Sequence, residues 1–162
     1  MELYSIDWSP WVRKVRIAAI ERGIESNIKL VTANIGFEDK TLKKFIDNNL
    51  TRVNPSGRVP TLITEDGQNI YDSTVIVHYL DSIGDETPII PEEINKKVYC
   101  LKINALVDEV IDSLRHLSIE NRREEKLPDW LEALDQKIRR GIEVIESNIS
   151  SLSSSNSKVL NL

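Results

Sequence analysis

Three short stretches of this 162-residue chain carry side chains whose types and spacing could do chemistry. Ser9 stands before Pro10 and an apolar helical run. Serine at the N-cap and proline at the first helical position open a helix, and the unpaired N–H groups at such an end favour an anion. A thiolate set beside Ser9 would accept a hydrogen bond from the hydroxyl, and its pKa would fall. Asp72-Ser73 marks a second helix start, with Ser73 expected at the N-cap. There the hydroxyl and helix N–H groups suit a carboxylate and the Asp72 side chain suits an ammonium, which together would hold an amino-acid head group. Between the two lies Asn54-Pro55-Ser56-Gly57-Arg58-Val59-Pro60-Thr61-Leu62, a specified turn leading into a strand-like run over residues 60–64. A proline cannot donate to a sheet ladder and belongs at a strand's first residue or at an edge. A cis Val59–Pro60 bond would present the Val59 N–H and C=O outward, ready to pair with a peptide-like ligand as an added strand. Taken singly, each stretch also has a plain reading. Ser9 and Ser73 are caps, and Pro60 is trans, since only about 5–6% of X–Pro bonds in folded proteins are cis.

These residues need elements to hold them. Residues 2–6 read as a strand. Behind Ser9, Val12, Val15, Ile17, Ala18, Ala19 and Ile20 recur at helical spacing, with Arg13, Lys14, Arg16, Glu21 and Arg22 on the other face and Gly23 as a natural stop. Residues 27–32 alternate like a second strand, so the unit is a parallel crossover. Residues 39–49 read as a weaker helix anchored by Leu42, Phe45 and Ile46. Residues 61–64 and 69–71 flank Glu65-Asp66-Gly67-Gln68, a hairpin turn. A helix follows from Ser73 through Val75, Ile76, Tyr79, Leu80 and Ile83 to Gly84. The order is βαβ, α, ββα. Pro88 and Pro91 mark residues 84–91 as a linker. Beyond it the chain is helical over about 92–119. After a charged break at 120–126 it restarts at Leu127-Pro128-Asp129, with Leu131, Leu134, Ile138, Ile142, Ile145, Ile149 and Leu152 in steps of three and four. Residues 150–157 hold six serines and read as a flexible connector.

Apolar residues make up 40% and charged residues 29% of the chain, the proportions of a soluble globular protein. The net charge of −5, with basic residues interleaved among acidic ones, offers no nucleic-acid-binding face. No apolar run approaches the roughly 20 residues of a membrane span, and residues 1–4 lack a signal peptide's basic and apolar regions. The single cysteine, Cys100, permits no internal disulfide, and its place near an apolar stripe suits a small core residue. His78 and His116 have no Cys or second His at ligand spacing, so no metal is expected. These readings predict a cytoplasmic protein that engages neither nucleic acid nor membrane.

The order and spacing of the three stretches within βαβ–α–ββα are far more specific than any one of them. Residues 1–83 resemble the thioredoxin-like domain of the soluble glutathione S-transferases. Tyr4-Ser5, followed by Ser9-Pro10-Trp11-Val12-Arg13-Lys14-Val15-Arg16-Ile17-Ala18, resembles the family's bacterial Ser-Pro-Phe-Val-Arg-Lys-Val-Arg opening. The stretch from Asn54 to Leu62 resembles its Asn-Pro-x-Gly-Lys-Val-Pro-x-Leu, and Asp72-Ser73-Thr74-Val75-Ile76-Val77-His78-Tyr79-Leu80 its Glu/Asp-Ser-x-x-Ile-x-x-Tyr-Leu helix. The resemblance implies an α/β plus all-α fold: a thioredoxin-like βαβαββα domain over 1–83, a linker over 84–91 and a partial all-α domain over 92–162, with the Leu127-Pro128-Asp129-Trp130-Leu131 restart inside it. It implies a cis Val59–Pro60 bond whose backbone pairs with the cysteinyl part of glutathione. Asp72 and Ser73 would then take the γ-glutamyl end, and Ser9 would hold the thiolate for attack on an electrophilic small molecule. Serine rather than cysteine at that place favours conjugation or glutathione-assisted isomerisation over thiol–disulfide exchange, and without a Cys-x-x-Cys a thioredoxin-type redox protein is disfavoured. Tyr4 is the fallback hydroxyl, and Arg13 and Arg58 would add positive potential. Of Trp8 and Trp11, which flank Ser9, one is expected in the core and the other at the acceptor pocket; Trp130 is expected to pack. The family implies a homodimer.

In the family the helical domain ordinarily resumes after the serine-rich connector with a capping box and a buried central helix. The sequence stops at Leu162, where that segment would begin. This predicts a shortened helical domain with Leu134, Ile138, Ile142 and Ile145 partly exposed. At roughly 25 cal/mol per Å², a few hundred Å² of lost burial approaches the whole stability of a domain. The expected function is a glutathione S-transferase, with a non-catalytic glutathione-binding or protein-interaction module, or a truncated inactive family member, as the alternatives. The electrophile is not legible, because its pocket belongs largely to the helical domain.

Overall fold

The structure is a computed structural model that describes residues 1–37 and 44–153. In chain order the elements are β1 (Glu2–Ser5), α1 (Pro10–Glu21), a 3₁₀ turn (Glu25–Asn27), β2 (Lys29–Thr32), β3 (Gly36–Phe37), β4 (Lys44–Phe45), α2 (Asn48–Val53), β5 (Thr61–Ile63), β6 (Asn69–Ile70), α3 (Ser73–Ile83), α4 (Ile94–Glu120) and α5 (Pro128–Ser153). The main sheet has the order β2-β1-β5-β6. β1 runs parallel to β2, with Leu3 opposite Leu30, and antiparallel to β5, with Leu3 opposite Leu62. The expected βαβ–α–ββα order holds for the four-stranded sheet and its helices, with a short two-stranded ribbon, β3–β4, set in before α2.

Successive strand side chains point to opposite faces, and β1 uses both. Leu3 joins Val15 and Ala18 of α1, Leu62 of β5, and Ile76 and Leu80 of α3 in one core. Tyr4, its neighbour, packs on the other face against Ile6, Ala33 and Leu50, the last from α2. The sheet is therefore held between α1 and α3 on one side and α2 on the other. α1 ends at a left-handed Gly23, with Gly23 N–H on Ile20 C=O and Ile24 N–H on Ala19 C=O, a Schellman stop that only a residue without Cβ takes without strain. Arg22 is buried there. Its guanidinium lies 3.2 Å from Asp81 Oδ1, and the Asp81 carboxylate accepts the N–H groups of Ile89 and Ile90 at 2.8 and 3.1 Å. That pair anchors the segment leading out of α3.

The helix expected over 39–49 is not what the described residues show. Residues 38–43, Leu42 among them, lie outside the described part. Residues 44–45 form strand β4, with Phe45 opposite Gly36 of β3, and the helix comes later, as α2. Asp47 explains the shift, because its carboxylate accepts the Asn49 N–H at 2.8 Å and starts a helix there. Phe45 lies close over Gly36, and a Cβ on that glycine would come within 2.7 Å of the ring tip and push this exposed ring aside.

α4 and α5 run antiparallel. Tyr99 early in α4 donates to Asn148 late in α5, and Lys137 pairs with Glu109 midway. Leu134 and Ile138 are buried, at 3% and 6% exposure, as is Val110 of α4. The expectation that both leucine and isoleucine would be partly exposed is corrected, because the antiparallel partner covers that part of the stripe. Ile142 stands 42% exposed, and Ile145 is intermediate, as expected. No helix among the described residues is long and apolar enough to cross a membrane.

Candidate functional site

Ser9 is the N-cap of α1, as expected. Its Oγ accepts the Val12 N–H at 3.3 Å, and its own N–H donates to Ile6 C=O at 3.2 Å. The side chain is 4% exposed. The cap occupies one lone pair and leaves the hydroxyl proton for another acceptor.

The turn from Asn54 to Thr61 is organised by a side chain that sequence reasoning did not single out. Asn54 is fully buried; its Nδ2 donates to Arg58 C=O at 3.1 Å and to Thr61 Oγ1 at 2.9 Å, while its Oδ1 accepts from the Ser56 N–H and hydroxyl. The Val59–Pro60 bond is cis. Val59 lies ahead of β5, outside the register with β1, and Pro60 is buried. The Arg58 side chain is exposed and forms no ion pair among the described residues.

At the third stretch the cap is Asp72 and not Ser73. Asp72 has an extended backbone, and its Oδ1 accepts from the Thr74 and Val75 N–H groups at 3.0 and 3.4 Å. The reason is reach and charge. A carboxylate one residue before the helix spans two unpaired donors and meets the positive dipole end. Ser73 becomes the first helical residue. It is buried, and its hydroxyl makes no hydrogen bond among the described residues. The Tyr71–Asp72 bond is also cis.

Ser9, Arg58, Val59, Pro60, Asp72 and Ser73 all line one cleft of about 380 Å³. The sheet and its helices thus bring these six expected residues together, while Tyr4 and Arg13 stay apart from them. Trp8, Trp11 and Tyr71 supply aromatic walls, and α4 closes the far side with Ala105, Asp108, Glu109, Asp112 and Arg115. The α4 residues were missed, although steps of three and four from 105 to 112 place them on one helical face. Neither tryptophan lies in the core: Trp8 is 72% exposed, and Trp11 is intermediate. Trp130, expected to pack, is also exposed. Arg13 lines a separate small cavity with Arg16, Ile17 and Leu30, and Tyr4 sits in the core under α2, so neither reaches the cleft. Cys100 is half-buried, and that burial, with Asp81 second, raises its thiol pKa. Among the described residues no group of three or more His, Cys, Asp or Glu is placed to hold a metal ion.

The family described as glutathione S-transferase, N-terminal domain, matches residues 8–83. A solved glutathione transferase family member from Pseudomonas fluorescens Pf-5, with bound glutathione, superposes with a TM-score of 0.85 at 31% identity, over 94% of this chain and 74% of that one. The chain belongs to the glutathione S-transferase family. The cis Val59–Pro60 bond and the thioredoxin-like sheet followed by helices agree with that membership. Among further members, the GST-like protein YibF of Escherichia coli is 28% identical over 90% of this chain, and glutathione S-transferase 1 of Dianthus caryophyllus is 30% identical over 90%. This transferase-family chain spans 68% of the first and 63% of the second.

Proposed function

We propose that the cleft binds glutathione and that the chain is a glutathione S-transferase, activating the glutathione thiolate for attack on an electrophilic small molecule. The observation that carries this reading is the convergence of Ser9, the Val59–Pro60 turn and Asp72–Ser73 on one cleft. In this reading the tripeptide lies extended along the turn, and the Val59 backbone pairs with its cysteinyl residue. Its γ-glutamyl carboxylate meets the Ser73 hydroxyl at the start of α3, and its ammonium meets the exposed Asp72 carboxylate. Arg58 adds positive potential for the anionic tripeptide. The sulfur sits by Ser9, whose hydroxyl donates to the thiolate and favours ionisation. The thiolate lone pair forms the new S–C bond, and the electrophile's leaving group or π-bond takes up the displaced electron pair. Ser9 is not itself covalently modified; the chain contributes ionisation and positioning.

Residues 1–83 would form the glutathione-binding domain, 84–91 the linker, and the helices from residue 92 the acceptor wall. We place the protein in the cytoplasm as a homodimer; Ile94, Val98 and Leu127 are exposed apolar surface that association would cover. The deciding experiment is calorimetry of glutathione binding, with the mass in solution followed by light scattering and turnover measured against a panel of electrophiles. Micromolar-to-millimolar binding with turnover supports the transferase. Binding without turnover on any electrophile favours a non-catalytic glutathione-binding module, and no binding overturns both.

A further inference from the structure

Lys14 stands on what the sequence presents as the solvent face of α1, yet its side chain is only 15% exposed. Its ammonium donates to both carboxylate oxygens of Asp108, at 3.0 and 2.9 Å, to Asn104 Oδ1 at 3.1 Å and to Thr74 Oγ1 at 3.4 Å. Asn104 and Thr74 in turn donate to Asp108 Oδ2, at 3.1 and 3.4 Å. Thr74 directly follows Ser73, and its N–H is one of those capped by Asp72. Asp108 lines the cleft. One cation therefore ties the helix that begins at Ser9 to the first turn of α3 and to the α4 wall. Charge-assisted bonds of this kind are the stronger hydrogen bonds, and at partial burial the charges are weakly screened.

We propose that Lys14 is a positioning residue of the glutathione site, acting through charge as well as geometry. It holds the Asp72–Ser73 turn against α4, and it cancels the Asp108 carboxylate, which would otherwise face the γ-glutamyl carboxylate across the cleft. Glutathione is a net anion, so an unpaired Asp108 repels it. The inference rests on the reading that the cleft binds glutathione.

The test is glutathione calorimetry on the full chain as wild type, Lys14→Met, Asp108→Asn and the double variant, with thermal melts to compare folding. Lys14→Met should weaken binding about tenfold, the scale of one charged hydrogen bond. The double variant should return to the affinity of Asp108→Asn alone, because the charge that Lys14 cancels is then gone. If Lys14→Met fails to fold, Lys14→Gln takes its place, keeping a polar tether without the charge. Wild-type affinity in the Lys14 variant overturns the proposal. So does a double variant whose two losses simply add, because additive losses mean that Lys14 and Asp108 do not act through one another. If the wild-type chain shows no binding, the glutathione reading fails and this inference falls with it.

Discussion

Asn54 Nδ2 donates to Thr61 Oγ1 at 2.9 Å, and both side chains are fully buried. The bond closes the loop that carries Val59 and Pro60, and Thr61 passes its own proton to Arg58 C=O at 2.9 Å. Asn54→Ala strips partners from Thr61, Arg58 C=O and the Ser56 N–H together. Thr61 and Arg58 C=O keep their bond to each other, so the loss is that of the Asn54 hydrogen bonds themselves, at about 1 kcal/mol each. The variant should lose about 3 kcal/mol in urea unfolding and bind glutathione more weakly. A loss within experimental error would show that the turn is held by something else.

Ser9→Ala should cut turnover by two orders of magnitude or so while leaving glutathione affinity nearly intact. It also removes the cap of α1, which costs about 1 kcal/mol, so melting must be followed alongside kinetics. Equal loss of binding and turnover would sink the thiolate role.

Asp72 has two roles that a pair of variants separates. Asn caps helices about as well as Asp, so Asp72→Asn should keep the melting temperature while weakening glutathione binding, since the charge that meets the ammonium is lost. Asp72→Ala should lose binding and about 1 kcal/mol of stability as well. Wild-type affinity in Asp72→Asn would remove this residue from the site.

A Cβ on Gly141 would come within 2.3 Å of Val110 Cγ2, where α5 crosses α4. Gly141→Ala gains about 1 kcal/mol of helix propensity but overpacks a contact fixed by two backbones, typically a cost of 1–3 kcal/mol. The clash should win and lower stability. Adding Val110→Ala should recover most of the packing loss, and a double variant no better than the single one would argue against this account.

His78 has its pKa lowered, first by burial and then by Lys97. A folded pKa below the unfolded value means that, as pH falls through the ordinary histidine range near 6.5, the unfolded chain takes up a proton that the folded chain resists. Stability is therefore lost on acidification from pH 7 towards 5 and regained as pH rises. His78→Gln should flatten that part of the melting-temperature profile. An unchanged slope would assign the acid sensitivity to other groups.

Much of this protein is settled by local chemistry and was legible in the residues alone. Ser9 before Pro10 starts a helix whatever surrounds it. Gly23 stops that helix because a left-handed position tolerates it, and Asp66-Gly67 turns the hairpin. The apolar periodicities behind them dictate the βαβ–α–ββα order, and three spaced motifs point to one site. Tertiary structure decided what depends on competition or on distance in sequence. Asp72 outcompetes Ser73 for the α3 cap, and Asp47 draws α2 past its expected start, because a carboxylate reaches donors that a local pattern does not rank. Leu134 and Ile138 are buried because an antiparallel helix happens to cover them. Lys14 meets Asp108, 94 residues on, only once α1, α3 and α4 are docked. Spacing along a chain encodes a helical face, but not which buried charge that face will meet.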